Sequence, residues 1–447
     1  MNEWVAEYLI LRPSYSLLGE PVAALLPRFE ETQWFSRGEL LAYQSARLRA
    51  QLCHAYNTVP YYRSLMHEHN MPAGVHDNLE TLRHFPILTR DHIRKHYSSL
   101  MSWYNPFRTQ TRKTSGSSGQ PLLLQKDRIA TGVMNAVIWR NYRWIGIDMG
   151  DRCARVWAGP LHFLEKWKLS IRDTLLNRIR LSTFTMNPHA FDRFLKSMLT
   201  FRPIYLYGYG QSLYRLAAHA LASNLELTSL NLRAVITTAE MIFDGQKQAM
   251  EEAFRAPVIS EYGSTEVGTI AMECPKGKMH IMSDTLVVEV MKDGSPAAPG
   301  EEGDILITEL YSSRMPLIRY YIGDRGILSD EQCACGRGLP VLQRLKGRVT
   351  DYIVCPDGTI VDPYFADSFL TSRPEFYAIV RQWRIHQPDR SHAILTLCTP
   401  DASACPELES LLRKTFNELC RQQVALEFSY EDWLRPAESG KTRLFSR

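Results

Sequence analysis

Apolar residues recur near a helical period across residues 37–67, at Leu40, Leu41, Leu48 and Leu52, and predict a helix that Pro60 interrupts. Residues 129–146 also read as helix. Beyond them, short apolar runs alternate with helical stretches. Strands are expected at 152–158, 203–206, 234–237 and 257–260, and helices at 188–199, 212–221 and 246–254. Asn187 as N-cap and Pro188 at the first helical position mark the start of the 188–199 helix. Such alternation predicts parallel strands covered by helices.

The texture changes after about Ile281. Residues 286–290 and 304–310 are rich in β-formers and are separated by Lys292-Asp293-Gly294 and a Pro-Gly pair, a pattern for antiparallel strands. Residues 352–361 predict a hairpin turning at Asp357-Gly358. About 378–398, 406–420 and 424–429 then read as strand, helix and strand, which makes a small α+β unit. A chain of 447 residues exceeds one ordinary core. We divide it near residues 348–352 into a domain of residues 1–349 and a domain of residues 350–447. The fold class is therefore α/β with a β-rich subdomain: a large N-terminal domain followed by a small α+β C-terminal domain.

Composition narrows the function classes. No run of about 18 apolar residues occurs, so no membrane span is expected. Glu3 and Glu7 at the N-terminus argue against a secretory signal, and nine scattered cysteines fit a reducing cytoplasm. The net charge of +4 and the lack of an aromatic-basic stripe give no reason to expect nucleic acid as a partner. Lys166, Lys168, Arg172, Arg178 and Arg180 fall within residues 163–180 and read as the solvated face of a helix.

Candidate chemistry begins at Thr114-Ser115-Gly116-Ser117-Ser118-Gly119-Gln120-Pro121. Glycines let backbone N–H groups approach a ligand closely, and the hydroxyls add donors. The loop suits a phosphate, and taken alone it suits a flexible linker equally. It is not a Walker A loop, because no Gly-Lys-Ser/Thr follows at the required spacing. Four further patterns follow: Thr237-Thr238-Ala239-Glu240, Glu261-Tyr262-Gly263-Ser264-Thr265-Glu266, Arg319-Tyr320-Tyr321-Ile322-Gly323-Asp324 and Gly347-Arg348-Val349-Thr350-Asp351. The chain closes with Ser439-Gly440-Lys441-Thr442. Each has a use at a nucleotide. Tyr262 offers a face for a purine, Glu266 a hard oxygen for Mg2+, and Asp324 an acceptor for ribose hydroxyls. Arg348 and Lys441 supply cations for ribose, phosphate or carboxylate oxygens. Each alone also has an ordinary structural use as a turn, an ion pair or a solvated side chain; the ordered set is far more specific.

In this order the motifs resemble the adenylate-forming superfamily of acyl-CoA synthetases, and more narrowly its phenylacetate–CoA ligase and capsule-biosynthesis branch. The resemblance runs from Asn57-Thr58-Val59-Pro60-Tyr61-Tyr62-Arg63 to Gly440-Lys441. It implies a ligase in which a carboxylate attacks the α-phosphate of ATP, giving an acyl-adenylate and pyrophosphate, after which coenzyme A takes the acyl group. The alternative within the same superfamily is transfer to an amine, a hydroxyl or a carrier protein in natural-product or polysaccharide biosynthesis. By resemblance Ser115, Gly116, Ser117, Ser118 and Gly119 cradle the leaving phosphates, with Thr114 at the start of the loop. Ala239 and Glu240 lie beside the adenine, with Tyr262 stacked on it. Thr265 and Glu266 serve phosphate and Mg2+, with Glu261, Gly263 and Ser264 completing the motif. Asp324 holds the ribose with Arg348 nearby. Lys441 rides on a mobile C-terminal domain and steadies charge during adenylation, with Asp351 at the hinge. Relatives allow a homodimer. A Lys that often follows the loop proline is replaced by Leu122-Leu123-Leu124, and Lys113 or Lys126 is the candidate substitute. No protein nucleophile is assigned.

Two further groups stand out. Cys274 and His280 flank Pro-Lys-Gly-Lys-Met, and Cys333 and Cys335 bracket one alanine. Three thiolates and an imidazole would close a structural zinc site, although the spacing is not that of a standard finger and the four can also be unrelated loop positions. Relatives in the branch that carry a metal at similar positions favour zinc. Tyr205-Leu206-Tyr207-Gly208-Tyr209-Gly210 ends a predicted strand; by resemblance Tyr207, Gly208 and Tyr209 line the acyl pocket, with Trp139 and Trp157 close by. An aromatic, mostly apolar pocket favours an aryl or arylacetic acid, although Tyr and Trp are abundant in this chain and the same residues also fit ordinary core positions.

Overall fold

The structure, a computed structural model, describes residues 2–446 except 70, 72–78, 115–121, 160–162, 224, 226, 228, 349–351, 364, 378, 401–405 and 438. Helices α1 (Arg12–Leu18), α2 (Val22–Thr32), α3 (Arg37–Thr58) and α4 (Pro60–Glu68) open the chain, and α5 (Arg90–Lys95) follows. Pro60 divides α3 from α4, as the sequence predicts, because it starts the second helix at the position that needs no N–H. Strands β1 (Thr109–Lys113) and β2 (Leu123–Asp127) pair antiparallel and flank the Ser/Gly segment. Helix α6 (Arg128–Arg143) starts where the Asp127 carboxylate accepts the Ala130 amide.

The parallel part is β3 (Cys153–Trp157), β4 (Arg178–Ser182), β5 (Tyr205–Tyr209), β6 (Ala234–Thr238) and β7 (Val258–Ser264), joined through α7 (Phe163–Leu175), α8 (Pro188–Phe201), α9 (Gly210–Ala222) and α10 (Asp244–Phe254). Asn187 caps α8 through the Ala190 amide at 3.0 Å. The same sheet continues antiparallel through β8 (Gly268–Glu273), β9 (Met279–Ile281), β10 (Leu286–Lys292), β11 (Ser295–Pro296), β12 (Glu302–Glu309), β13 (Tyr320–Ser329) and β14 (Val341–Arg348). It has twelve strands in the order β11-β10-β12-β13-β14-β9-β8-β7-β6-β5-β3-β4. The change of direction thus comes at the β7–β8 pair, before Ile281, because Gly268 at φ +81 turns the chain straight back along β7.

Residues 352–446 form β15 (Ile353–Val354) and β16 (Ile360–Val361), helices α11 (Phe365–Thr371) and α12 (Pro374–Tyr377), β17 (Gln382–Asp389), β18 (His392–Cys398), α13 (Pro406–Leu419), β19 (Ala425–Glu431) and β20 (Phe445–Ser446). The predicted hairpin at Asp357-Gly358 is β15–β16, but residues 378–398 hold two antiparallel strands rather than one. A four-stranded sheet ordered β19-β18-β17-β20 packs α13 through Leu408, Leu412 and Phe416 into a core of its own. The division expected at 349/350 falls on residues outside the described ones.

Three cores hold the larger part. One face of the parallel strands packs on α8–α10, the other on α2 and α6, and the antiparallel strands pack on α3 and α4. The solvated helix face expected over 163–180 holds for Lys166, Lys168 and Arg172, which are exposed on α7. The helix ends at Leu175, Arg178 and Arg180 lie on β4, and Leu164, Trp167, Ile171 and Leu175 are exposed on α7 as well. No helix among the described residues is long and apolar enough to cross a membrane.

The packing face of α6 carries a charge. Arg140 is fully buried, 2.9 Å from Asp284, and also donates to Phe29 O and Asn141 Oδ1. Thr32 Oγ1 donates to the same Asp284 carboxylate at 2.7 Å. Leaving a buried guanidinium unpaired costs about 3–5 kcal/mol, whereas replacing both ions with apolar groups is often neutral. We therefore expect Asp284→Ala to lower stability by about that amount and Arg140→Met/Asp284→Leu to lose clearly less. Denaturant titration followed by tryptophan fluorescence checks both; equal losses would contradict the account.

Candidate active site

The candidate residues collect at the carboxyl ends of β5, β6 and β7 and at the adjoining end of β13–β14. Ligands of open α/β sheets sit outside the carboxyl ends of parallel strands. On β5, Tyr207 and Tyr209 project to one face, and Gly208 lies against β3. A Cβ at Gly208 would come within 2.5 Å of the Val156 carbonyl, so only glycine fits. Trp157 stacks on Tyr209 at 4.1 Å and on Tyr207 at 5.4 Å. Trp139, by contrast, is a core residue: it reaches β5 only through Tyr142 and donates to Tyr15 Oη at 2.9 Å.

After β6 the chain turns at Ala239, whose φ of +67° is a strained value for a residue with a Cβ. That turn presents Glu240. Its carboxylate accepts the Gln211 amide at 2.8 Å, in the first turn of α9, and the Thr442 amide of the C-terminal tail. Burial pushes the Glu240 carboxyl up to about 7, against the two amides and Lys441, which favour its charge. Glu261, on β7, is likewise pushed up to about 7 by burial, with Tyr142 Oη at 3.4 Å.

Tyr262 is turned inward, and its hydroxyl donates to Asp324 Oδ2 at 2.7 Å. Gly263 and Ser264 form the turn into β8: a Cβ on Gly263 would meet Gly268 O at 2.7 Å, and Ser264 Oγ accepts the Val267 amide. Thr265 is exposed there, with its carbonyl 3.4 Å from Arg112. Glu266 is buried beside Tyr320 Oη at 3.2 Å and Arg90 at 3.3 Å. Asp324 and Arg348 are Cα partners across β13 and β14, so strand register brings together two residues that the sequence separates widely.

The tail supplies the last group. Ala437 to Lys441 is a turn closed by Ala437 N–H to Lys441 O and Gly440 N–H to Ala437 O, each 2.8 Å. Gly440 has φ +78, and a Cβ there would lie 2.6 Å from Ala158 Cβ and 2.7 Å from Thr183 Oγ1. This close seat sets Lys441 Nζ 5.9 Å from the Tyr209 ring centre. Further contacts hold the small unit against the large one. Gln382 donates to Gln211 Oε1 at 3.1 Å, Phe243 packs on Trp383, and Tyr214 packs on Trp433.

Ser115, Gly116, Ser117, Ser118, Gly119 and the hinge residue Asp351 lie outside the described residues. The base of the Ser/Gly segment is described: the Thr114 amide donates to Leu122 O and the Leu122 amide to Thr114 Oγ1, both at 3.0 Å. Lys126 cannot substitute for the missing loop lysine, because it is fully buried in an ion pair with Glu309; Lys113 is exposed at the loop's edge. Sequence reasoning missed Arg90, Gln211 and Arg155. Nothing local marks Arg90; Gln211 adjoins the Tyr-Gly-Tyr-Gly run, and Arg155 stands two residues before Trp157.

The four metal candidates do meet. The ligand atoms of Cys274, His280, Cys333 and Cys335 all lie within 4.8 Å of one another. Cys274 Sγ is 3.6 Å from Cys333 Sγ, and Cys335 Sγ is 3.2 Å from His280 Nε2. The His280 Nδ1 edge faces Leu339 O at 2.8 Å, which turns Nε2 toward the thiols. Cys153, Cys355, Cys398 and Cys420 are buried, as expected of small apolar residues.

Comparison with known proteins agrees with this geometry. No protein-family model matches the chain. A phenylacetate–coenzyme A ligase of Thermus thermophilus is 23% identical over 352 residues, covering 77% of this chain and 78% of the relative. Protein CapK of Staphylococcus aureus is 24% identical over 337 residues, covering 72% and 71%. Among solved structures, 2-hydroxyisobutyryl-CoA ligase in its postadenylation state superimposes with a TM-score of 0.74 at 18% identity, over 94% of this chain and 91% of that one. The same ligase in its thioesterification state gives 0.62 over 94% and 92%. Motif order, sheet topology and these relatives converge: they support the adenylate-forming superfamily, in the branch of the phenylacetate–CoA ligases.

Proposed function

We propose that this protein uses ATP to activate a carboxylic acid as an acyl-adenylate, releases pyrophosphate, and then transfers the acyl group to coenzyme A. The observation that carries this reading is the seating of Lys441 by Gly440 and Thr442 beside Tyr209 and Glu240, at the carboxyl ends of the parallel strands. The acid's carboxylate is ionised near neutral pH and needs no base. Displacement at the α-phosphorus builds charge on the non-bridging oxygens, and a positioned ammonium stabilises it. Asp324, with Tyr262 fixing one oxygen, is oriented to accept from the ribose hydroxyls, and Arg348 is its strand neighbour. Glu266 would hold Mg2+, which needs few carboxylates when phosphate oxygens supply the rest; the ion would neutralise phosphate charge, and Arg90 would give up its hold on the same oxygen. Ser115–Gly119 would bind the leaving pyrophosphate. The stacked Trp157, Tyr207 and Tyr209 favour a planar, aromatic acid.

For the second step, residues 350–447 would rotate about Asp351, exchanging Lys441 for a thiol-binding surface. The solved ligase is known in a postadenylation and a thioesterification state, which supports this reading. Free cysteines are consistent with a cytoplasmic protein.

The cysteine–histidine cluster is proposed as a structural zinc site. Zn–S bonds of about 2.3 Å and Zn–N bonds of about 2.0 Å imply tetrahedral edges of about 3.8 Å between sulfurs and about 3.5 Å between sulfur and nitrogen, and the observed 3.6 and 3.2 Å lie within about 0.3 Å of these. The metal would fasten the β8–β9 turn to the loop between β13 and β14.

Carboxylate-dependent ATP–pyrophosphate exchange tests the first step; no exchange with any aryl or alkyl acid would overturn it. With coenzyme A added, the thioester should form, and formation only of amides or esters from other acceptors would overturn the second step. Lys441→Ala should reduce exchange at least about a hundredfold while sparing thioester formation from supplied acyl-adenylate; equal losses would refute its role. Burial outweighs the tail's amide and Lys441, so the docked arrangement raises the Glu240 carboxyl; docking is therefore favoured below about pH 7 and weakens as pH rises through it. Exchange should therefore decline above about pH 7, and Glu240→Gln should flatten that limb. Purified protein should contain one zinc per chain; Cys335→Ser should lose it and unfold at lower temperature, and a zinc content near zero would end that assignment.

A further inference from the structure

The aromatic wall beside Lys441 carries a second cation. Arg155 lies on β3 with its guanidinium 4.5 Å from the Trp157 ring centre and 4.9 Å from that of Tyr207. Tyr209, Trp157 and Tyr207 form one stacked series, with Lys441 near Tyr209 and Arg155 against Trp157 and Tyr207.

Arg155 is not paired with an acid as its neighbour Arg180 is. Strand register puts Arg180 beside Arg155, and Arg178 beside Cys153, on the same face of the sheet. Arg180 is satisfied by Asp173 at 2.6 and 2.8 Å. Arg155 has no ion pair or hydrogen bond among the described residues, and its buried Nε lacks a partner. Glu261, whose ionised form the Arg155 charge favours without a direct bond, takes its hydrogen bond from Tyr142. Burial holds the Glu261 carboxyl near 7, so it is only partly ionised at neutral pH. A guanidinium beside aromatic rings can present its N–H edge to a planar acceptor, and carboxylate matches that edge bidentately.

We propose that the acid carries a second carboxylate at the far end of an aromatic or apolar spacer, and that Arg155 binds it while the reacting carboxylate lies toward Lys441. Arg155 is then the residue that selects the substrate class. This rests on the adenylation reading above and narrows it from aryl acids in general to diacids.

The test uses the full-length protein and matched pairs of acids: 4-(carboxymethyl)benzoate against phenylacetate, and adipate against hexanoate. In wild type, kcat/KM for ATP–pyrophosphate exchange should favour the diacid of at least one pair by at least about tenfold. Arg155→Met should remove that preference through KM while leaving the monoacid within about twofold, and Arg155→Lys should restore part of it. Calorimetric binding of the same acids without ATP gives an independent reading. Weaker diacid binding in Arg155→Met, with monoacid binding unchanged, supports the inference even if exchange is absent, in which case the adenylation reading alone fails. Equal wild-type preference for mono- and diacids overturns the inference, as does an equal loss for both acids in Arg155→Met and Arg155→Lys, which would make Arg155 a structural residue of the wall.

Discussion

The site depends on one carboxylate that two parts of the chain share. Glu240 accepts an amide from the first turn of α9 and another from the C-terminal tail beside Lys441. The first bond fixes the carboxylate to the parallel sheet; the second places the tail on it. A charge in a partly desolvated position is unfavourable unless several donors surround it. Here the donors come from both units, so the environment that makes the carboxylate tolerable also brings Lys441 to the strand ends. Because each bond is individually modest, the arrangement can be released, as a two-step reaction requires.

Close packing of glycines makes the contact specific. Gly208 lets β5 approach β3, and Gly440 lets the tail approach Ala158 and Thr183; in both places a methyl group would collide with its neighbours. Ala239 holds a left-handed backbone at the strand end between them. Strain of this kind persists only where surrounding structure determines it, here the sheet on one side and α9 on the other. The β7–β8 pair then turns the sheet from parallel to antiparallel, and the motif with Glu261, Tyr262 and Glu266 occupies that seam.

Buried ion pairs tie the two parts together. Arg140 and Asp284 join α6 to the segment before β10, and Lys126 and Glu309 join β2 to β12. Such pairs contribute little net stability compared with apolar packing, but they penalise any arrangement that separates them. Arg155 departs from this economy of matched charges, which is why its surroundings are informative about a ligand.

Local patterning was legible where local chemistry decides structure. The Asn187-Pro188 start of α8, the Pro60 break and the Asp357-Gly358 hairpin depend on capping, ring geometry and turn preference, and each lies where the sequence predicts. The order of motifs carried the resemblance to the adenylate-forming superfamily, because the ordered set is far more specific than any one of its members. Individual roles were less legible. The sequence does not reveal that Thr114 spends its hydroxyl on Leu122, that Lys126 is sealed in an ion pair, or that Tyr262 directs its hydroxyl to Asp324. The four metal candidates met because hairpin and loop pack side by side, which spacing alone leaves open. Strand register joined Asp324 to Arg348 and set Arg155 beside Trp157 and Tyr207, and no local preference encodes it. Thus the sequence determined the elements and the kind of chemistry, since both follow from residue type and short-range order. Only the tertiary structure decided which charges are matched and which face a ligand, since that depends on distances between residues far apart in the chain.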